Sequence, residues 1–568
     1  MRTFKSLRGI CLAACLAIGC LVVTASAAFA LVTPGWECVP TTAGAAVVSG
    51  GTGETPSCAS GTPVLAPTYV GKTIGSRPTV EFSAVNVQIA SGGANETVVN
   101  GEGNLVVGTD EAAGKATGSN NLVLGQGQSY TGYGSLLFGV NNSATGNFDL
   151  VGGAYNKVTT LADSDLGGDG NTISAAYGAV IGGCDNRIAP TSVFNPPVSA
   201  FCSEQSSRPG QFSTIVGGAG NQTTGVSSTV AAGEHNIASN AFSSVSGGNE
   251  NKAEAELSSV IGGILNKATG KQASVSGGKE GTAEGEASSV SAGVKSKATG
   301  KFASVTGGYG NTASGEYSAL SGGREDKAQG EGSSISGGLE NTASGQLSSV
   351  SSGRANTAAA QYTWVGGGFS NQATGENSTV SGGGQNVSSS DDTSISGGEN
   401  NKAEALAATV SGGFENTASE IDSSVSGGKE NKASGLDASI SGGESNDAKS
   451  KSSAILGGAS NSTETGSNAT VSGGVNDKAT GEFASVSGGN GNTAGGFSGW
   501  VAGGLSNSTN GTYASAAGGT KNKASAEIAS VFGAYNTEAS GKGSDAFGGF
   551  ELKLTNEAEM CGGVPKIC

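Results

Sequence analysis

The chain has a single histidine, His235, set in Gly233-Glu234-His235-Asn236, a turn context that suits a surface residue better than a general base. Its many serines have no His/Asp pattern beside them that would raise a nucleophile. Carboxylates such as Glu250, Glu254, Glu256 and Asp391-Asp392 are interleaved with Lys252, Lys279 and Lys432, which is the mixture of a solvated face. Gly-Gly runs lack the trailing Lys-Ser/Thr of a phosphate loop, and the G-G-x-G-x-D calcium pattern does not recur. The expectation is therefore a protein without catalytic residues, metal site or cofactor, and not an enzyme.

Cysteine is the remaining reactive type. Cys11, Cys15 and Cys20 fall in residues 1–30, where Arg2, Lys5 and Arg8 precede the apolar run Ile10–Val23 and two small-residue sites, Ala25-Ser26-Ala27 and Ala28-Phe29-Ala30. That tripartite order reads as a signal peptide, so a secreted or cell-surface protein is expected. Six cysteines remain in close pairs. Of the 15 pairings six cysteines permit, proximity favours Cys38–Cys58, Cys184–Cys202 and Cys561–Cys568, with free thiols the alternative.

The elements that hold these residues follow from composition and order. Gly makes up 100 of 568 residues without a three-residue period, which excludes a collagen helix. An apolar content of 35% with 5% aromatics cannot fill several thick cores. A net charge of −16 argues against nucleic acid or an anionic membrane as partner.

From Val245 to Ile455 an aliphatic residue recurs every 15 residues, beginning Val245, Val260, Val275 and Val290. One residue is added before Val471, and the period then continues through Val486 and Val501. Upstream, Leu122, Leu136 and Leu150 are spaced by 14, and Val180 lies 30 beyond Leu150. The unit S-V-S-G-G-x-x-N-x-A-x-G-x-x-S holds one backbone circuit: a half-buried strand at S-V-S, a Gly-Gly bend, and a second strand with Ala inward (Ala253, Ala268). Asn six residues after the aliphatic slot (Asn251, Asn266) would stack into a ladder and bond the next coil's amide. The fold class is all-β, a single-stranded parallel β-solenoid of about 29 coils of 14–15 residues. One Val and one Ala per coil make a thin interior. Large residues three positions before the aliphatic slot (Phe242, Leu257, Phe302, Tyr317, Leu347, Tyr362, Phe483, Tyr513, Ile528) suggest that oligomer contacts supplement it.

The unit resembles the head repeat of trimeric autotransporter adhesins, the YadA-like head, S-V-A-I-G-x-x-A-x-A-x-G-x-x. Residues 135–146, S-L-L-F-G-V-N-N-S-A-T-G, match it closely, and later Ser259-Val260, Gly263, Ala268 and Gly270 fall on its S-V, G, A and G. The resemblance covers roughly residues 100–550. It implies a left-handed β-roll, a homotrimer, and a rigid surface for binding host matrix or other surfaces. The heptad stalk and the amphipathic membrane strands of that family do not follow the repeat, so no integral membrane anchor is expected.

Around the repeat, residues 31–78 read as an irregular Cys-containing leader and 79–104 as a capping strand region, with Thr79 to Ile89 alternating. The β-roll occupies 105–188 and 212–549, split by a Pro-rich, disulfide-closed loop at 189–211, and 550–568 form a C-terminal cap. Trp364 and Trp500 each replace the Ser before the aliphatic slot. By alternation they point outward or toward a neighbouring subunit and are candidate contact points. Two functions fit: a structural or adhesive surface protein binding protein, matrix or cells, and an ice-binding solenoid using an outward Ser/Thr ladder. The scarcity of Thr disfavours the second.

Overall fold

The computed structural model describes residues 86–92, 99–109, 115–189, 210, 212–563 and 568, together with five strand backbones before them. The signal segment, Cys58, Cys202 and nearly all of the 189–211 excursion lie outside the described residues, as does the side chain of Cys38. The chain forms two compact units, Met1–Ile89 and Ala90–Cys568.

In the first unit, Gly35–Val39 lies between Val48–Thr52 and Thr62–Leu65 in an antiparallel sheet, and Tyr69–Ile74 pairs with Arg77–Phe82 as a hairpin. The strand expected over Thr79 to Ile89 is the second arm of that hairpin and stops at Phe82. Val87 and Ile89 continue the alternation but are exposed and outside any strand.

The second unit is a parallel β-solenoid of about 29 coils, with no helix among the described residues. One sheet runs from Leu105–Thr109 to Met560–Gly562 and carries the aliphatic slot. The other runs from Ser129–Tyr130 to Lys553–Leu554 and carries the alanine slot. Most strands are two residues long, because Gly and Asn turns follow them at once. Ser259–Val260 lies in register between Ser244–Val245 and Ser274–Val275, and Lys267–Ala268 between Lys252–Ala253 and Thr282–Ala283. The second residue of each pair is buried and the first is not, as period-two alternation demands. The buried Val and Ala columns form a continuous apolar spine. A third column, absent from the two-strand expectation, consists of single-residue bridges four positions after the slot, such as Asn249↔Ile264↔Lys279.

Turn chemistry closes each circuit. Around Val260, Leu257, Gly263 and Leu265 have φ of 58°, 90° and 59°. Gly263 is obligatory, since a Cβ there would overlap the carbonyl oxygen of Gly278 in the next coil. Its neighbour Gly262 has an ordinary backbone and open space around it, so only the second glycine of the pair is dictated by the bend.

Upstream, the phase differs by one residue from the expectation. Leu122, Leu136 and Leu150 pair with one another in the outward column, while Val123, Leu137 and Val151 are the buried ones. Both faces of the strand are apolar there, so periodicity alone leaves the phase open. The 30-residue step conceals a coil whose core slot is Asp165, paired between Val151 and Val180. The excursion leaves the stack intact: Val180 pairs with Ile215 and Ile188 with Thr223. The residue added before Val471 sits in a turn, because Thr463 stays in register between Ala448 and Ala479. At the end of the chain, Lys553–Leu554 and Met560–Gly562 continue both ladders, with Leu554 and Cys561 in core slots.

Candidate binding face

Three outward columns of the aliphatic sheet make a continuous face. The first, immediately before the slot, runs from Thr214 to Ser530. The second, immediately after it, runs from Val216 to Phe532. The third, two after it, runs from Gly217 to Gly533. None of the three contains a charged residue over that span, and most positions are Ser, Ser and Gly. Charge is kept to the turns and to the other sheet, where exposed pairs link successive coils: Lys271–Glu256 at 3.1 Å, Lys301–Glu286 at 3.2 Å and Lys542–Glu527 at 3.0 Å. Gly262, Gly307, Gly322, Gly397 and Gly412 in the third column have no heavy atom within 4 Å of a built Cβ, so side chains would fit where none is present. At these five positions the face is bare without the fold requiring it, whereas Gly518 and Gly533 in the same column have φ of 82° and 61°.

Trp364 and Trp500 interrupt this plain and lie in the same column of the sheet. The indole of Trp364 reaches across its strand: Nε1 donates to Ser351 Oγ of the preceding coil at 3.2 Å, and the six-membered ring sits against Gly366. Most coils have Ser where Gly366 is; a Cβ at Gly366 would overlap the Ser381 carbonyl oxygen and also meet the ring at 3.0 Å. Trp500 repeats the arrangement, Nε1 donating to Ser487 Oγ at 3.3 Å with Ala502 in the place of Gly366. The two side chains remain 39% and 42% exposed.

The other residues singled out by sequence fall into structural roles. Val245, Val260, Val275, Ala253 and Ala268 are core. The Asn column uses its polar atoms internally: Asn251 Oδ1 accepts from the Asn266 amide at 3.0 Å, and its Nδ2 donates to Gly247 and Gly263 carbonyls at 2.9 and 2.8 Å. Asn266 repeats this toward Gly281, where the carboxamides stop. Gly281 and Ser296 occupy the next two slots, and the column resumes at Asn311. The large residues three before the slot are exposed left-handed turn residues that point away from the interior; Phe302 and Tyr317 stack at 5.0 Å. His235 is exposed beside Glu234. Cys561 and Cys568 form a disulfide, which takes up both thiols of the group they make with Glu559. Cys184 is exposed and has no disulfide partner among the described residues, with Cys202 outside them.

The sequence does not reveal the buried acids. Asp149 and Asp163 occupy a buried column that is mostly Ser or Ala elsewhere, and Asp165 sits in the core. Asp149 Oδ1 accepts from the Asp163 amide, and Asp163 bonds Thr160 Oγ1 and the Gly178 amide. Burial pushes the three carboxyls up to about 7, 6 and 7, and no donor reaches Oδ2 of Asp149 or Asp165. Asp326 and Asp477 replace column Asn residues, and burial raises both. Short acidic residues in a Ser/Asn-rich repeat look like turn chemistry; only the register shows them to be inside.

Toward the N-terminal coils the face turns apolar, with Leu105, Val107, Leu122 and Leu124 exposed, and near the C-terminus Phe532 and Phe547 stack at 5.2 Å. No protein-family model matches the sequence, and no curated protein does.

Proposed function

We propose that this chain is an exported, non-catalytic surface protein whose solenoid presents a rigid face for binding extracellular protein, matrix or cell surfaces. The observation that carries the reading is the uncharged face with two fixed, half-exposed indoles, set on coils whose buried Asn side chains bond within the stack rather than outward. The resemblance of residues 135–146 to a YadA-like head supports a homotrimer, and the exposed Leu105, Leu122 and Leu124 supply apolar area suited to subunit packing.

Three measurements on the purified full chain test this. Sedimentation should give a mass near three chains. Binding to matrix-coated and cell surfaces should saturate, with no thermal hysteresis in ice growth. Hysteresis without adhesion would instead favour ice as the ligand of the Ser rows.

A further inference from the structure

The face raises a question that the fold does not answer: what does a bare, uncharged plain with two flat indoles bind? A protein hot spot is usually an aromatic anchor inserted into a pocket and shielded by a rim. Neither indole stands up to be inserted. Each lies across its strand, its only donor spent on a serine of the preceding coil, so that what it offers a ligand is a ring face. Around Trp364 stand hydroxyls of Ser349, Ser351, Thr379 and Ser381; around Trp500 stand Ser485, Ser487 and Ser515. The adjacent glycine column leaves lateral access open.

A ring face framed by hydroxyls matches one ligand chemistry well. A pyranose presents axial C–H groups on a flat apolar face and hydroxyls around its edge. Stacking on the indole buries the first, and the serines pair with the second. The absence of charge along all three columns matches a neutral sugar and offers nothing to a polyanion or a basic peptide. The two platforms share a column nine coils apart, about 43 Å at the spacing of parallel strands. Only an extended chain can occupy both at once.

We infer that Trp364 and Trp500 are stacking platforms for a neutral, linear polysaccharide laid along the serine–glycine face. This deepens the adhesive reading, on which it rests, by naming a ligand class.

The test uses the full chain with insoluble cellulose and chitin as neutral probes and carboxymethylcellulose as an anionic control. The native protein should be retained by at least one neutral polymer and not by the anionic one. Trp364→Ala and Trp500→Ala should each weaken retention about tenfold, and the double variant about a hundredfold. Trp364→Tyr should recover most of the loss, because it restores a ring. Both indoles are on the surface, so circular dichroism and sedimentation should match the native chain. A hexasaccharide of the retained polymer reaches one platform only. It should bind both single variants equally, and it should shift indole emission in each of them but not in the double variant, which keeps Trp36.

Retention unchanged in the double variant, or no retention of the native chain on either neutral polymer, overturns the inference. If the double variant still adheres to matrix or cells as the native chain does, the adhesive reading stands and the saccharide assignment alone falls. If the native chain adheres to nothing, both fall.

Discussion

Replacing Asp165 by Asn should remove a pH-dependent weakness from the coils between Leu150 and Val180. Asp165 stands in the core column between Val151 and Val180, fully buried, with Oδ1 accepting from the Gly167 amide at 3.4 Å, the Asn171 side chain nearby lowering its carboxyl only in part, and no partner for Oδ2. Burial raises its carboxyl from 3.8 to about 7, while the unfolded chain titrates near the ordinary value. Below about pH 3 the acid is neutral in both states and costs nothing through ionisation. As pH rises the unfolded chain releases its proton first, so stability falls until the folded carboxyl has also ionised, above about pH 7. A rise of that size makes the full penalty about 4 kcal/mol, of which roughly 2.5 kcal/mol develops between pH 5 and pH 8. Solenoid coils contact only their neighbours, so the effect is local. Amide exchange across residues 150–180, corrected for intrinsic rate, should show opening becoming about seventyfold easier over that range through this residue alone. In Asp165→Asn that component is gone, and the slope left over belongs to Asp149 and Asp163. If the variant and the native chain lose protection in parallel from pH 5 to pH 8, the carboxyl is not ionising inside the core and the reasoning is refuted.

Three further outcomes rest on single positions. Asp326 and Asp477 place Oδ2 where column Asn residues place the donating Nδ2, so Asp326→Asn and Asp477→Asn should each stabilise by about 1–3 kcal/mol at pH 7, with the gap narrowing at pH 4, in denaturant titrations. Asn401→Ala removes an acceptor for the Asn416 amide and donors to the Gly397 and Gly413 carbonyls; it should cost about 3 kcal/mol or more and deprotect those amides to exchange. Gly413→Ala, at φ of 93° and against the Gly428 carbonyl, should destabilise by at least about 2 kcal/mol, while Gly412→Ala beside it should change thermal stability by less than about 0.5 kcal/mol.

The repeat is legible in sequence because one constraint acts on every coil. Val at the slot, Ala eight later and Asn six later each fill a column whose neighbours are the same residue, so period and chemistry agree. Leu122, Leu136 and Leu150 show where that logic runs out: with apolar residues on both strand faces, only the observed pairing fixes which side is inside. Asp165 is invisible for the opposite reason, since a polar residue in a core slot breaks the pattern used to find the slot. The Gly-Gly pair reads as one bend, yet Gly262 and Gly263 answer to different demands, and only the backbone angle separates them. The face inherits that ambiguity. Alternation places Trp364 and Trp500 outward, but their pose across the face rests on the bonds to Ser351 and Ser487.

Inside the stack, the two successive slots filled by Gly281 and Ser296 offer no carboxamide or carboxylate acceptor to the next coil, and that has a mechanical meaning. On either side, each coil is fastened to the next by extra side-chain bonds running down the turn. Across these two the carboxamide bonds are missing, and backbone ladders, the apolar spine and exposed ion pairs such as Lys301–Glu286 hold. A filament tugged or flexed by flow strains most where its coils are least fastened, so the stretch from Gly281 to Asn311 is a compliant coupling within a stiffer shaft.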